Sequence, residues 1–389
     1  MSSAISAPTF GGGAENRVVD GFTSLLDEVD SEEIAARYDI GLHSNRIDFL
    51  EHVKIGLRLG IADPNTLEDL AQQTDVYSDL EPISKGHFSK LTTRRPYQAV
   101  VDLATAVLEQ RSLYHPAGIA RKRLEHLRDR QIIGCDATRL PLRTTLVVDT
   151  GDDELVVRPE DGGIELHTAA RLDPAMKHPL GAFVTRANYP ESDAFPVLAG
   201  DVEVHEDLDS VIFVFDKGYV NYGRFAGMKN DDMDFVTPLK DNAKHEVVER
   251  VHDFEHEQPD GEEVRVTDEY IELGTVGREY RKVTIMHDDD DDEIYLTTLS
   301  HDEFDALEIG LIYGVRWLIE IMFRELKQYT NIQRFHSMTL NGVFFEVYCT
   351  FLAYILADYY RRQYPVHGGM PRTFRLIRNY WNQPLGEYG

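Results

Sequence analysis

The hydrophobic period of this chain changes near residue 131, and that change limits the architectures open to it. Before it, apolar residues recur three and four apart in segments such as NRIDFLEHVKIGLRLG, TLEDLAQQT and PYQAVVDLATAVLEQRSL, the pattern of helices that bury one face. After it, QIIGCDAT, RTTLVVDT, DELVVRP, GIELHTAARLD and PLGAFVTRA read as successive strands with Gly, Pro and Asp clusters between them. A helix around YPESDAFPVLAGDV, the apolar strand SVIFVFDKGYV, a short helix at VNYGRFAGM and the strand DFVTPLKD follow. Strands that first run as a meander and then alternate with helices predict a mixed α/β sheet with flanking helices, preceded by a helical N-terminal domain. The expected divisions are a loose tail over 1–17, the helical domain over 18–130, the first part of the sheet domain over 131–244, a β-rich insertion over 245–300, the sheet domain's last helix over 301–335 and a C-terminal helical region over 336–389.

Charge separates these parts further. There are 68 acids against 40 Lys and Arg, a formal net of −28, with 11 Lys against 29 Arg and 37 Asp against 31 Glu. A Lys-poor, Asp-rich surface suits molar salt, where screening over about 3 Å cancels self-repulsion, and points to an extreme halophile. The excess is concentrated: between Glu246 and Glu308 stand 22 acids and 5 Arg or Lys. By contrast, windows 82–101, 326–345 and 359–386, the last carrying Arg361, Arg362, Arg372, Arg375 and Arg378, hold no acid and are candidate contacts for a polyanion. The first window lies in a helix, turn, helix pattern, with Ser84 as N-cap and Lys85, His87, Ser89, Lys90, Arg94 and Arg95 on or after the second helix. That arrangement suits DNA, although an ordinary helical hairpin reads the same way. The acidic run 288–293 lacks the Gly and bidentate Glu of a calcium loop and reads as a solvated hairpin tip.

Two cysteines, Cys135 and Cys349, are too few for a disulfide framework or a zinc module, and the first twenty residues lack an apolar signal core, so a cytoplasmic protein is expected. The apolar stretch 342–360 contains Glu346 and Asp358, which favours a core helix over a membrane span.

The segment IGLIYGVRWLIEIMFRELKQYTNIQRFHS reads as one long helix. At about 100° per residue, Tyr313, Arg316, Glu320 and Lys327 fall within a stripe of about 60°, opposite Val315, Leu318, Ile319, Met322, Phe323 and Leu326. A solvated helix face gives the same row of charges. Asp136 ends the strand IIGC and Asp216 ends VIFVF, where side chains leave a sheet at its carboxyl edge, although a lone Asp after a strand is usually a turn residue. Three carboxylates, two on strand ends and one on a helix packed across them, would form an all-oxygen site for Mg²⁺ or Mn²⁺. Such a site can take two ions for in-line phosphoryl transfer.

The spacing Tyr313, two residues, Arg316, three residues, Glu320, six residues, Lys327 resembles the Y-R-E-K signature of insertion-sequence DDE transposases, and the segments around Asp136 and Asp216 resemble that family's two aspartate motifs. The resemblance covers roughly residues 130–335. It implies a ribonuclease-H-like mixed sheet and a transposase that cleaves DNA and transfers strands at the ends of an insertion sequence. Asp136, Asp216 and Glu320 would be both catalytic residues and metal ligands, with Tyr313, Arg316 and Lys327 on DNA phosphates. It also implies double-stranded DNA as terminal repeats and target, and a homodimer on that DNA. Asp149, at the end of TTLVVDT, competes with Asp136 as first ligand but opens an acidic turn. A metal-dependent nuclease of the same fold and a catalytically silent DNA-binding regulator are the competing readings.

Overall fold

A computed structural model describes residues 17–384 apart from 42–46, 63, 65, 78, 111–126, 128–129, 150–153, 174–175, 232, 259–260, 275–276, 289–290, 365 and 367. The tail expected over 1–17, save Arg17, and two residues of the acidic run at 288–293 lie outside the described residues. The strands are β1 (Gln131–Leu140), β2 (Leu146–Asp149), β3 (Glu154–Val157), β4 (Ile164–Asp173), β5 (Met176–Arg186), β6 (Val211–Phe215), β7 (Asp234–Pro238), β8 (His245–Glu257), β9 (Glu263–Leu273), β10 (Arg278–Met286) and β11 (Glu293–Thr297). The helices are α1 (Val18–Thr23), α2 (Ser31–Arg37), α3 (Phe49–Ala62), α4 (Leu67–Val76), α5 (Lys85–Arg94), α6 (Gln98–Leu108), α7 (Glu191–Glu203), α8 (Tyr222–Asn230), α9 (Ala306–Gly314), α10 (Trp317–Tyr329), α11 (Leu340–Gln363) and α12 (Gly369–Tyr380). The chain divides into two compact units, one of Pro116–Arg139 and Ile164–Met322, the other of Met1–His115, Leu140–Gly163 and Phe323–Gly389.

The first unit is built on a sheet of nine strands in the order β5-β4-β1-β6-β7-β11-β10-β9-β8. The pairs β1–β6 and β6–β7 are parallel, while β4–β5 and every pair from β7 to β8 are antiparallel. Its first five strands are the ribonuclease-H-like mixed sheet that the sequence resemblance implies. Alternation along β1 divides its side chains between two faces. Ile133 and Cys135 join Phe213 and Phe215 of β6, Phe195 and Leu198 of α7 and Phe225 of α8 in one apolar layer. On the opposite face Gly134 is kept bare: a Cβ there would stand 2.5 Å from Leu172 Cδ1 and 3.7 Å from Ile319 Cβ. Helix α10 thus lies over β1, and Asp136, two residues along, emerges on its side.

Two features depart from the sequence reading. The hairpin β2–β3, read there as part of the strand meander, pairs only with itself and belongs to the other unit. The acidic insertion is antiparallel, as its alternation indicates, but it does not stand apart. Its strand β11 pairs with β7 through Tyr295–Pro238, Leu296–Thr237 and Thr297–Val236, so the insertion continues the main sheet. Without that pairing β7 would expose a row of backbone donors and acceptors. A buried ion pair fastens the insertion: Arg281 donates from Nε and Nη2 to the two oxygens of Asp268, 2.9 Å each, and from Nη1 to the carbonyls of Leu299 and Ser300. These carbonyls lie on the segment that leads from β11 to α9, and Tyr295 then packs on Tyr313 of α9 with ring centroids 5.0 Å apart.

The second unit gathers α1–α6, the hairpin and α12 around α11. This helix is long and apolar enough to cross a membrane, yet 89% of its most apolar window is buried inside the protein. Its two acids have partners there. Glu346 accepts the backbone N–H groups of His336 and Ser337 at 2.8 Å each, and Asp358 pairs with Arg361 and Arg362.

Candidate active site

The site helix is broken where the sequence reads continuous. Helix α9 ends at Gly314 and α10 begins at Trp317, and across the junction the bonds Arg316 N to Tyr313 O, Leu318 N to Val315 O and Ile319 N to Arg316 O each span three residues. Such a tightened turn eclipses side chains three apart. Arg316 is thereby brought onto Tyr313, where its Nε donates to the phenol oxygen at 3.1 Å.

The same guanidinium reaches two of the three acids named from sequence. Its Nη1 lies 3.3 Å from Asp136 Oδ2 and its Nη2 donates to Glu320 Oε1 at 2.5 Å. A single fork therefore spans the gap between β1, where Asp136 stands mid-strand and not at the strand end read from sequence because the strand runs on to Leu140, and the first turn of α10. Asp216 follows β6 and caps the turn 217–219, with its Oδ1 accepting the backbone N–H of Gly218 at 2.8 Å. It stands near enough to act on Asp136. Burial pushes the Asp136 carboxyl up to about 7, against the N–H of Ala137 and the charge of Arg316, while Asp216 and Glu191 add to the rise. Burial opposes the charge on Arg316 as well, yet Tyr313, Asp136 and Glu320 hold its pKa above the ordinary value.

Three carboxylates supply the hard oxygen donors that Mg²⁺ and Mn²⁺ take, and mutual repulsion among them is what a cation relieves. The donor set therefore fits a divalent ion. Among the described residues, however, no three His, Cys, Asp or Glu side chains already stand together as a ligand cluster. The guanidinium of Arg316 is the positive charge between Asp136 and Glu320 instead.

The remaining residues named from sequence are dispersed. Lys327 lies two turns beyond Glu320 on α10, where burial lowers its pKa, and it belongs to the second unit. Asp149 ends β2 of the separate hairpin, paired in register with Glu154, and so does not sit on a strand of the main sheet. Helix α5 starts on the expected cap, Ser84 accepting the N–H of His87, and exposes Lys85, Lys90 and Arg94. Arg95 is not available to a ligand: it is buried, and donates to the carbonyls of Asp48 and Ile47 at 2.6 and 2.5 Å. The C-terminal window splits the same way, with Arg372 and Arg375 exposed and Arg378 donating to the carbonyls of Ile61 and Tyr329. Sequence reasoning missed Glu191, whose only signal was an acid opening a helix after Pro190, a placement common at any helix start.

The chain is similar to other proteins. It matches 31% of residues over 150 positions with a Sinorhizobium fredii protein named as a transposase, y4zB, across 37% of this chain and 41% of that one. It is 26% identical over 227 residues to a Geobacillus stearothermophilus protein named as a transposase for insertion sequence element IS5377, across 56% of this chain and 55% of that one. The matched stretches thus span about half the length of those relatives or less. The family model described as the transposase DDE domain matches residues 136–356, opening on Asp136 and taking in Asp216, Tyr313, Arg316, Glu320 and Lys327. With that match covering more than half of its length, this chain belongs to the family of transposases with a DDE domain.

Proposed function

We propose that this protein is a cut-and-paste DNA transposase that cleaves the ends of an insertion sequence and joins the freed strands to target DNA. The observation that carries this reading is that Arg316 sits between Asp136 of β1 and Glu320 of α10, with Asp216 after β6 close enough to raise the Asp136 carboxyl. These three carboxylates would hold divalent cations, with two Mg²⁺ or Mn²⁺ ions supplying activation of a water or 3′-hydroxyl and stabilisation of the leaving oxygen when bound. Arg316 has the planar fork that grips phosphate through two bonds, Tyr313 offers a hydroxyl and a ring face, and Lys327 offers a point charge. Arg316 has two competing partners in this scheme. With DNA absent it neutralises Asp136 and Glu320, and with DNA bound it turns to the backbone and frees them.

The exposed cations Lys85, Lys90 and Arg94 on α5 supply a face for double-stranded DNA. A homodimer holding two terminal repeats is the assembly this reading calls for. The acidic surface suits molar salt, in which counterion release is weak, so hydrogen bonds to phosphate and base contacts must carry more of the affinity.

The test is to incubate the purified protein with Mg²⁺, molar KCl and DNA from the flanks of its own gene, and to map the cuts. Asp136→Ala, Asp216→Ala and Glu320→Ala should each abolish nicking at the terminal repeats while leaving DNA binding in place. Near-normal nicking by any one of them overturns that residue's role. Cleavage without joining of a pre-cut 3′-hydroxyl end would make the protein a nuclease.

A further inference from the structure

The turn after β6 holds a feature that the three-carboxylate scheme does not use. Gly218 sits beside Asp216, and a Cβ there would stand 1.6 Å from Glu191 Oε2 and 3.1 Å from Asp216 Oδ1. The Glu191 carboxylate therefore lies against the turn, beside Asp216, in space that any residue but glycine would fill. Glu191 is the first residue of α7, half-buried, and it has no hydrogen-bond or ion-pair partner among the described residues. The nearby cation is already engaged: Arg139 donates to Glu165 Oε1 at 2.9 Å and to Asn188 Oδ1 at 3.2 Å. The start of α7 favours an acid by its dipole, but that role is met as well by a carboxylate turned to solvent. It does not explain a carboxylate pressed against the turn beside a second acid.

We propose that Glu191 is a fourth carboxylate of the metal site, acting with Asp216 at the end of β6, and that Gly218 is side-chain-free to admit it. The inference rests on the metal-dependent reading above and adds a ligand to it. It explains why like charges gather at this turn: a cation between Glu191 and Asp216 turns their repulsion into attraction. Because one acid comes from α7 and the other from β6, filling the site would also fix the start of α7 against the turn.

The test is Mn²⁺ binding to the full chain in molar KCl, followed by the paramagnetic signal of the free ion, together with thermal unfolding in chelator. Glu191→Gln keeps the shape of the side chain and removes its charge. It should weaken Mn²⁺ binding at least about tenfold or remove one bound ion, and should leave metal-free unfolding unchanged or shifted upward. Gly218→Ala, which displaces the Glu191 carboxylate without touching its charge, should weaken Mn²⁺ binding in the same direction. A purely structural Glu191 gives the opposite result, with Mn²⁺ binding unchanged and the metal-free protein less stable, and that overturns the proposal. Asp216→Ala separates this inference from the reading beneath it. If Asp216→Ala loses Mn²⁺ and Glu191→Gln does not, only the role of Glu191 falls. If neither variant differs from the parent protein, both fall.

Discussion

Replacing Arg316 by Gln tests the competition at the centre of the site. The guanidinium lies 3.3 Å from Asp136 and 2.5 Å from Glu320, so a divalent ion held by both acids must displace it. Two unit charges about 4 Å apart interact by about 4 kcal/mol at an effective dielectric of about 20. Glu320 is a third exposed and molar salt screens over about 3 Å, which reduces the figure to about 1–2 kcal/mol for each acid. Arg316→Gln removes both attractions and leaves Asp136, Asp216 and Glu320 facing one another without a counter-charge. In chelator, the variant should lose about 2–4 kcal/mol of stability, read as a lower midpoint in denaturant. In the presence of Mn²⁺ the sign reverses: without a built-in competitor, the acids should bind the ion about tenfold more tightly, so that saturating Mn²⁺ restores most of the lost stability. Nicking should nonetheless fall, because the fork that turns to the phosphate is gone. A variant that binds Mn²⁺ no better than the parent protein, and unfolds at the same midpoint in chelator, would refute the claim that Arg316 and the metal contend for the same carboxylates.

Further substitutions separate surface from support. Lys85→Ala and Lys90→Ala should each weaken DNA binding across sequences and flatten the dependence of log affinity on log salt by about 1, with unfolding unchanged; Arg95→Ala should instead lower stability by about 1–3 kcal/mol, through the carbonyls of Ile47 and Asp48 that it leaves without a donor, as denaturant titration will read. Glu346→Gln keeps one acceptor oxygen but sets an amide N–H₂ against one of the two backbone N–H groups that the carboxylate receives, so the midpoint of unfolding should fall by about 1–3 kcal/mol, whereas a Glu346 with no structural role would leave it in place.

How much of this could be read from the chain depends on how far each residue's position is set locally. Asp216 was legible because it ends an apolar run whose length and β-branched content fix a strand, and a strand's end is a local event; Asp136 also follows an apolar run, but β1 continues through it to Leu140, so only its place on the face beneath α10 sets its role. The sheet membership of those runs was not legible. β2 and β3 carry the same apolar pattern as their neighbours, yet they leave the sheet for the other unit, since alternation sets the faces of a strand and not its partner. β11 is the reverse case: read as part of an insertion, it becomes a central strand because β7 offers it an edge.

The helix bearing the signature shows the same division at finer scale. Ile319, Met322, Phe323 and Leu326 keep their three-and-four spacing inside α10 and are buried as periodicity indicates, while Val315 and Leu318, assigned to the same face, are only half-buried. Periodicity had no means of registering the turn at Val315 and Arg316, because one tightened turn shifts the phase by only about 20° per residue, well within the width of an apolar stripe. That small shift nonetheless decides the chemistry. It sets Arg316 over Tyr313, and from there the guanidinium reaches the strand and the helix together. Glu191 lies beyond even that kind of reading. Nothing in its own segment distinguishes it from any acid opening a helix; what singles it out is a missing side chain at Gly218, on a turn that only the folded sheet brings alongside it.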